Sequence, residues 1–121
     1  MPKSVLIVDD SRSMRELLTY TLSSNNYKVS EAPDAESAFQ QVCLNRFDLI
    51  ITDLNMGALD GLGLIKKIRA LPSYARTPVL MLTTDSNPAT RDKARAAGAT
   101  GWLVKPFDPV KLLETLARVV P

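Results

Sequence analysis

Residues 4–10 read SVLIVDD, an apolar run of strand length that ends on two adjacent carboxylates. The pattern recurs along the chain. DLIIT at 48–52 ends on Asp53, TPVLML at 77–82 on Thr83 and Thr84, and TGWLV at 100–104 on Lys105, while KVSEA at 28–32 is the most polar of the five runs. Runs that are apolar on both faces belong to strands covered on both faces, and the polar KVSEA suits a sheet edge. Between these runs the apolar residues change to helical spacing. Met14, Leu17, Leu18 and Leu22 form one stripe behind a capping Ser11, and Ala35, Ala38, Phe39, Val42 and Cys43 form a second behind Asp34. Leu64, Ile65, Ile68 and Leu71 mark a third helix. A fourth opens at Asn87 and Pro88 with only Ala89, Ala94 and Ala97 to bury, and a fifth opens at Asp108 and Pro109 with Leu112, Leu113, Leu116, Ala117 and Val120 facing the core. Strands alternating with helices predict an α/β chain built on a doubly wound parallel sheet of five strands.

Composition narrows the chemistry. The 121 residues suit one domain, 1–121, and at 45% hydrophobic and 23% charged they can bury a core. No window approaches the ~18–20 unbroken apolar residues of a membrane span, so no membrane association is expected. The net charge of +2 is spread along the chain without a Lys/Arg block, so direct nucleic-acid binding is not expected either. There is no histidine, which excludes a Ser/His/Asp triad, a His proton shuttle, His metal ligands and an autokinase histidine within these residues. Cys43 is the only cysteine, which rules out an intrachain disulfide or a Cys-rich zinc site, and its place on the second stripe predicts a packed core thiol. The start, MPKSVLIVDD, lacks the apolar length of a secretion signal, so a cytoplasmic protein is expected.

Open parallel sheets place ligands at the carboxyl ends of their strands. There this sequence carries Asp9 and Asp10, Asp53, Thr83 and Thr84, and Lys105. Singly, each has an ordinary reading as a helix cap, a turn residue or a solvated charge. Together they put three carboxylates, a hydroxyl and an ammonium on one edge of one sheet. Three neighbouring carboxylates repel, and a divalent cation together with Lys105 would relieve them. An oxygen-only donor set points to a hard cation, Mg²⁺ above all, with a phosphate oxygen completing its shell. An aspartate can itself be the nucleophile of phosphoryl transfer, forming an aspartyl phosphate.

With those residues in place, the sequence resembles the receiver domain of two-component response regulators over essentially its full length, through VLIVDDSRSMR, DLIITDLNMGALDGL, PVLMLTT and GATGWLVKPF. The acid pair, the single Asp, the Thr and the Lys-Pro occur in the family's order and spacing. The resemblance implies a flavodoxin-like (βα)5 fold with strand order 2-1-3-4-5, and the chemotaxis regulator is a standard example of that order. The residues alone imply only that strands one and three are neighbours, since Asp10 and Asp53 must share one metal. The resemblance further implies Asp53 as phosphoacceptor, Asp10 as direct Mg²⁺ ligand, Asp9 as ligand through water or a hydrogen bond, and the backbone carbonyl of Asn55 as third protein ligand. Thr83 and Lys105 would hold the phosphoryl group, Thr83 and Trp102 would form the switch, the bond into Pro106 would be cis, and Gly61 is the family's loop glycine. Two positions depart from the pattern: Gly57 stands where the family usually has proline, and Trp102 where Tyr or Phe is commoner.

The implied function is a stand-alone receiver that takes phosphate from a sensor histidine kinase, loses it by autodephosphorylation, and switches a separate effector protein through the face of helix four, strand five and helix five. GATGWLVKPFDPVKLLETL is closest to chemotaxis-type single-domain regulators. Such a protein is a phosphoacceptor switch and not an enzyme. An Mg-dependent aspartate-nucleophile phosphatase needs a proton-donating aspartate two residues after its nucleophile, where this chain has Asn55. A flavodoxin-like nucleotide binder needs a Gly- or Ser/Thr-rich loop after strand one, where this chain has Asp9 and Asp10. An unphosphorylated pseudo-receiver would not need the complete residue set.

Overall fold

The computed structural model describes residues 2–54 and 61–120. Five strands, β1 (Lys3–Val8), β2 (Tyr27–Ala32), β3 (Leu49–Thr52), β4 (Val79–Thr83) and β5 (Gly101–Val104), alternate with helices α1 (Arg12–Ser23), α2 (Ala35–Leu44), α3 (Gly61–Arg69), α4 (Pro88–Ala97) and α5 (Pro109–Val119). All strand pairs are parallel and the order is β2-β1-β3-β4-β5, a flavodoxin-like fold. The polar β2 lies at an edge, and the mostly apolar β1, β3 and β4 are inside.

Alternation along the strands splits the core into two layers. Leu6, Val8, Ile50, Val79 and Met81 pack on one face with residues of α2, α3 and α4. Val5, Ile7, Leu49, Ile51, Leu80 and Leu82 pack on the other with residues of α1 and α5. The four capping residues act as the sequence implies: Ser11 accepts from the Met14 N–H, Asp34 from Ser37, Asn87 from Ala89 and Asp108 from Val110. The N–H and hydroxyl of Ser37 hold the Asp34 carboxyl below the usual carboxylate range. Gly98 closes α4 at φ 115, a left-handed geometry that glycine adopts without strain.

Several side chains expected in the core are not there. Cys43 is exposed, because Val42 already occupies the buried side of α2 and the next residue lies about 100° further round, in the helix's last turn. Leu17 is 49% exposed on α1 beside the buried Leu18, and Ala117 is exposed beside the buried Leu116 for the same reason. Ala89 is exposed in the first turn of α4, where Ala94 is the only fully buried residue of the helix. Thr83 is the last residue of β4, paired with Val104, where the sequence placed it just beyond the strand.

Candidate functional site

Each loop of the site is fixed by the ladder beneath it. The Asp53 N–H donates to the Val8 carbonyl (2.9 Å) and the Asp9 N–H to that of Ala32 (3.2 Å), so Asp9, at the end of the interior strand β1, is flanked by β2 and β3. The Lys105 N–H donates to the Thr83 carbonyl (2.8 Å), carrying the β4–β5 ladder one residue past the strands. From there the Lys105 side chain spans β4. Its Nζ donates to Asp9 Oδ2 (2.6 Å) and Asp53 Oδ2 (2.9 Å).

Both acceptors are nearly buried, Asp9 at 2% and Asp53 at 9% exposure. Burial works against the lysine's charge, but hydrogen bonds and Coulomb attraction from Asp9 and Asp53 outweigh it and hold the Lys105 pKa above its ordinary value. The ammonium therefore stays protonated at neutral pH. The remaining carboxylate oxygens are also engaged: Asp9 Oδ1 accepts from the Ser11 N–H (2.9 Å) and Asp53 Oδ1 from the Leu54 N–H (2.6 Å). Asp10 differs, being exposed and without a partner among the described residues.

One oxygen from each of Asp9, Asp10 and Asp53 lies within 4.8 Å of the others. With all three ionised, a single ammonium leaves the group two negative charges in excess. An all-oxygen donor set with that excess and one unengaged carboxylate fits a hard divalent cation such as Mg²⁺.

Thr83 is fully buried, and its Oγ1 accepts from the Asp85 N–H (3.3 Å), tying it to the loop that leads into α4. Strand alternation puts Thr83 on the same face as Met81, whose β5 partner is Trp102. Trp102 is half-buried and packs against the α4 side of the core. The Lys105–Pro106 peptide is cis. A Cβ on Gly61 would collide with the Asp53 carbonyl and come within 2.9 Å of the Leu54 Cα, so the returning chain packs directly on the Asp53 loop. The Asn55 carbonyl and Gly57 lie outside the described residues.

The sequence reading missed Arg15. Its guanidinium donates to the Asp9 carbonyl (2.7 Å) and pairs with Glu31 (3.3 Å), bracing the acid loop against β2.

A family model described as the response regulator receiver domain matches residues 5–117. This chain belongs to that family. Chemotaxis protein CheY1 of Helicobacter pylori is 38% identical over 118 residues, covering 96% of this chain and 95% of that protein. The structure of Vibrio cholerae chemotaxis protein CheY4 superposes with a TM-score of 0.95 at 44% identity, covering 98% of this chain and 99% of that one. The receiver domain of the Pseudomonas aeruginosa sensor histidine kinase PA1611, whose structure has a magnesium ion coordinated in the active-site cleft, superposes with a TM-score of 0.92 at 28% identity over 99% and 98% of the two chains. The chain is thus a phosphorelay receiver of the CheY type. Receiver domains are signalling switches phosphorylated by histidine kinases, and CheY-like ones bind downstream effectors. Among the described residues, no helix is long and apolar enough to cross a membrane.

Proposed function

We propose that residues 1–121 work as one receiver unit in the cytoplasm, with Asp53 the phosphoacceptor, and that the protein is a switch and not an enzyme acting on a separate substrate. The observation that carries this reading is the convergence of Asp9, Asp10 and Asp53 from two loops, with Lys105 from a third bridging the two buried carboxylates. An Asp53 oxygen attacks the phosphorus of a phosphohistidine on the kinase. A new P–O bond forms as the P–N bond breaks, and the imidazole leaves with the electron pair.

The residues fit Mg²⁺, which when bound neutralises charge on the transferring phosphoryl oxygens. Asp10 and Asp53 would ligate it directly, Asp9 through water or a hydrogen bond, and the Asn55 carbonyl would complete the protein's share. Lys105 exchanges part of its hold on Asp53 for the phosphoryl oxygens, and Thr83 donates its hydroxyl to them. Hydrolysis of the acyl phosphate resets the switch. Thr83, drawn to the phosphoryl group, gives up its bond from the Asp85 N–H, and Trp102 turns inward on the same sheet face. Output then passes through α4, β5 and α5 to a separate effector, in a chemotaxis pathway as the CheY-type relatives suggest.

The test is phosphorylation by acetyl phosphate, followed by intact-protein mass. The expected product is one phosphoryl group per chain, dependent on a divalent cation and absent in Asp53→Asn. Labelling that survives Asp53→Asn, or that proceeds equally in EDTA, contradicts the assignment.

A further inference from the structure

Asp9 and Asp10 are neighbours in sequence but are held in different ways. The Asp9 carboxylate is fixed by the Lys105 ammonium and the Ser11 N–H, and the Asp9 N–H by the Ala32 carbonyl. The Asp10 carboxylate is exposed and without a partner among the described residues, so its direction depends on the backbone that carries it. The peptide unit joining the two residues is planar, and whatever fixes the Asp9 carbonyl also fixes the Asp10 N–H and the position of the Asp10 Cα. That carbonyl accepts from NH1 of Arg15 at 2.7 Å. The same guanidinium reaches Glu31 on β2 through Nε at 3.3 Å, and the Arg15 side chain is only 15% exposed. The peptide is thus tied to the sheet by a donor held at two points.

Helix stability does not account for Arg15. It lies near the N-terminal end of α1, where the dipole disfavours a cation, and α1 has no acid in its first turn. The pair with Glu31 is partly exposed and contributes little by itself. The charge of Arg15 also repels any cation bound among Asp9, Asp10 and Asp53. What remains is the bond to the Asp9 carbonyl.

We propose that Arg15 is a positioning residue for the divalent cation: by holding the Asp9–Asp10 peptide it keeps the Asp10 carboxylate aimed at the space shared with Asp9 and Asp53. The inference rests on those three acids binding the metal, and it adds a residue outside the ligand set that governs its affinity. Arginine suits the task because its planar fork offers Nε to Glu31 and NH1 to the carbonyl at once, whereas lysine has one donor nitrogen. Charge and position act with opposite sign. Loss of the positive charge alone would tighten metal binding, and release of the peptide weakens it.

The test is Mn²⁺ binding to the full chain, followed by loss of the free ion's paramagnetic resonance signal, in wild type, Arg15→Lys, Arg15→Met and Glu31→Ala. Backbone order parameters of residues 9–11 are measured in metal-free buffer. Both Arg15 variants are expected to raise the Mn²⁺ Kd about tenfold, the scale on which partners that orient a metal ligand act, and to lower the order parameter of Asp10 while β3 stays rigid. Glu31→Ala, which leaves the bond to the Asp9 carbonyl, is expected to raise the Kd less. Melting curves check folding, and Arg15→Lys carries the test alone if Arg15→Met does not fold. An unchanged or lower Kd in Arg15→Lys overturns the proposal, as does a weaker Kd with the order of Asp10 unaltered. Equal loss in Glu31→Ala assigns the effect to the ion pair and overturns the role of the carbonyl bond. Labelling by acetyl phosphate is read separately: a wild-type chain whose Mn²⁺ binding depends on Arg15 but which takes no phosphoryl group supports the positioning role and contradicts the Asp53 reading instead. A wild-type chain that binds no Mn²⁺ overturns both.

Discussion

Helices α4 and α5 flank β5 and begin alike, each with a capping Asx side chain followed by proline, yet they are held in different ways. α5 buries Leu112 and Leu116 completely or nearly so, with Leu113, Val119 and Val120 packed around them. α4 buries only Ala94. It is secured instead at its far end, where the Arg69 guanidinium donates through Nε and NH2 to the Gly98 carbonyl (3.0 and 2.8 Å) and through NH1 to the carbonyls of Tyr74 (2.7 Å) and Thr77 (2.6 Å). Burial lowers the Arg69 pKa, and no carboxylate offsets it among the described residues. The same starting chemistry therefore yields one helix fixed along its length and one fixed at its C-terminal end. The free end is the one beside Thr83, the proposed switch residue.

That contrast can be broken at several points. Leu116→Ala should cost about 2–5 kcal/mol in urea unfolding, the usual range for emptying a core leucine site. Ala94→Gly should cost about 1–2 kcal/mol, from one methyl and the lost helix propensity. Equal costs would mean that α4 is anchored as firmly as α5. Next, Arg69→Ala should cost about 1–3 kcal/mol by leaving three carbonyls without their charged donor, and should speed amide exchange in the last turn of α4 while leaving α5 unchanged. Exchange that rises equally in both helices would remove the special hold on α4. The smallest effects sharpen the comparison. Asn87→Ala and Asp108→Ala should each cost about 1 kcal/mol, because the two caps make the same bond. A much larger loss at Asn87 would show that α4 depends on its start.

What the sequence disclosed follows from which interactions leave a mark on residue type. Strand-end residues, the edge position of β2 and all four caps were legible because alternation, hydropathy and capping chemistry restrict the residue choice directly. Adjacency of β1 and β3 followed from the need of Asp10 and Asp53 to share a site, while the complete order came from family resemblance. Helical periodicity located each buried face but not its border, which is why Cys43, Leu17 and Ala117 were expected inside and lie outside. Arg69 was illegible because it bonds mostly to backbone carbonyls, which every residue carries, and so was the bond that ties Arg15 to the Asp9 carbonyl. The sequence brought Lys105 to the carboxylates, but only the folded structure reveals that it bridges Asp9 and Asp53.

The most direct measurement is amide exchange on the full chain with Mg²⁺, with and without beryllofluoride, read together with the emission of Trp102, the only tryptophan. The largest change should fall in residues 84–95, with α5 nearly unchanged and the Trp102 signal shifted, and Thr83→Ala should blunt both effects while Asp53 still binds the mimic. Exchange differences confined to α1 and α2, with Trp102 emission unaltered, would contradict a switch that works through the weakly anchored end of α4.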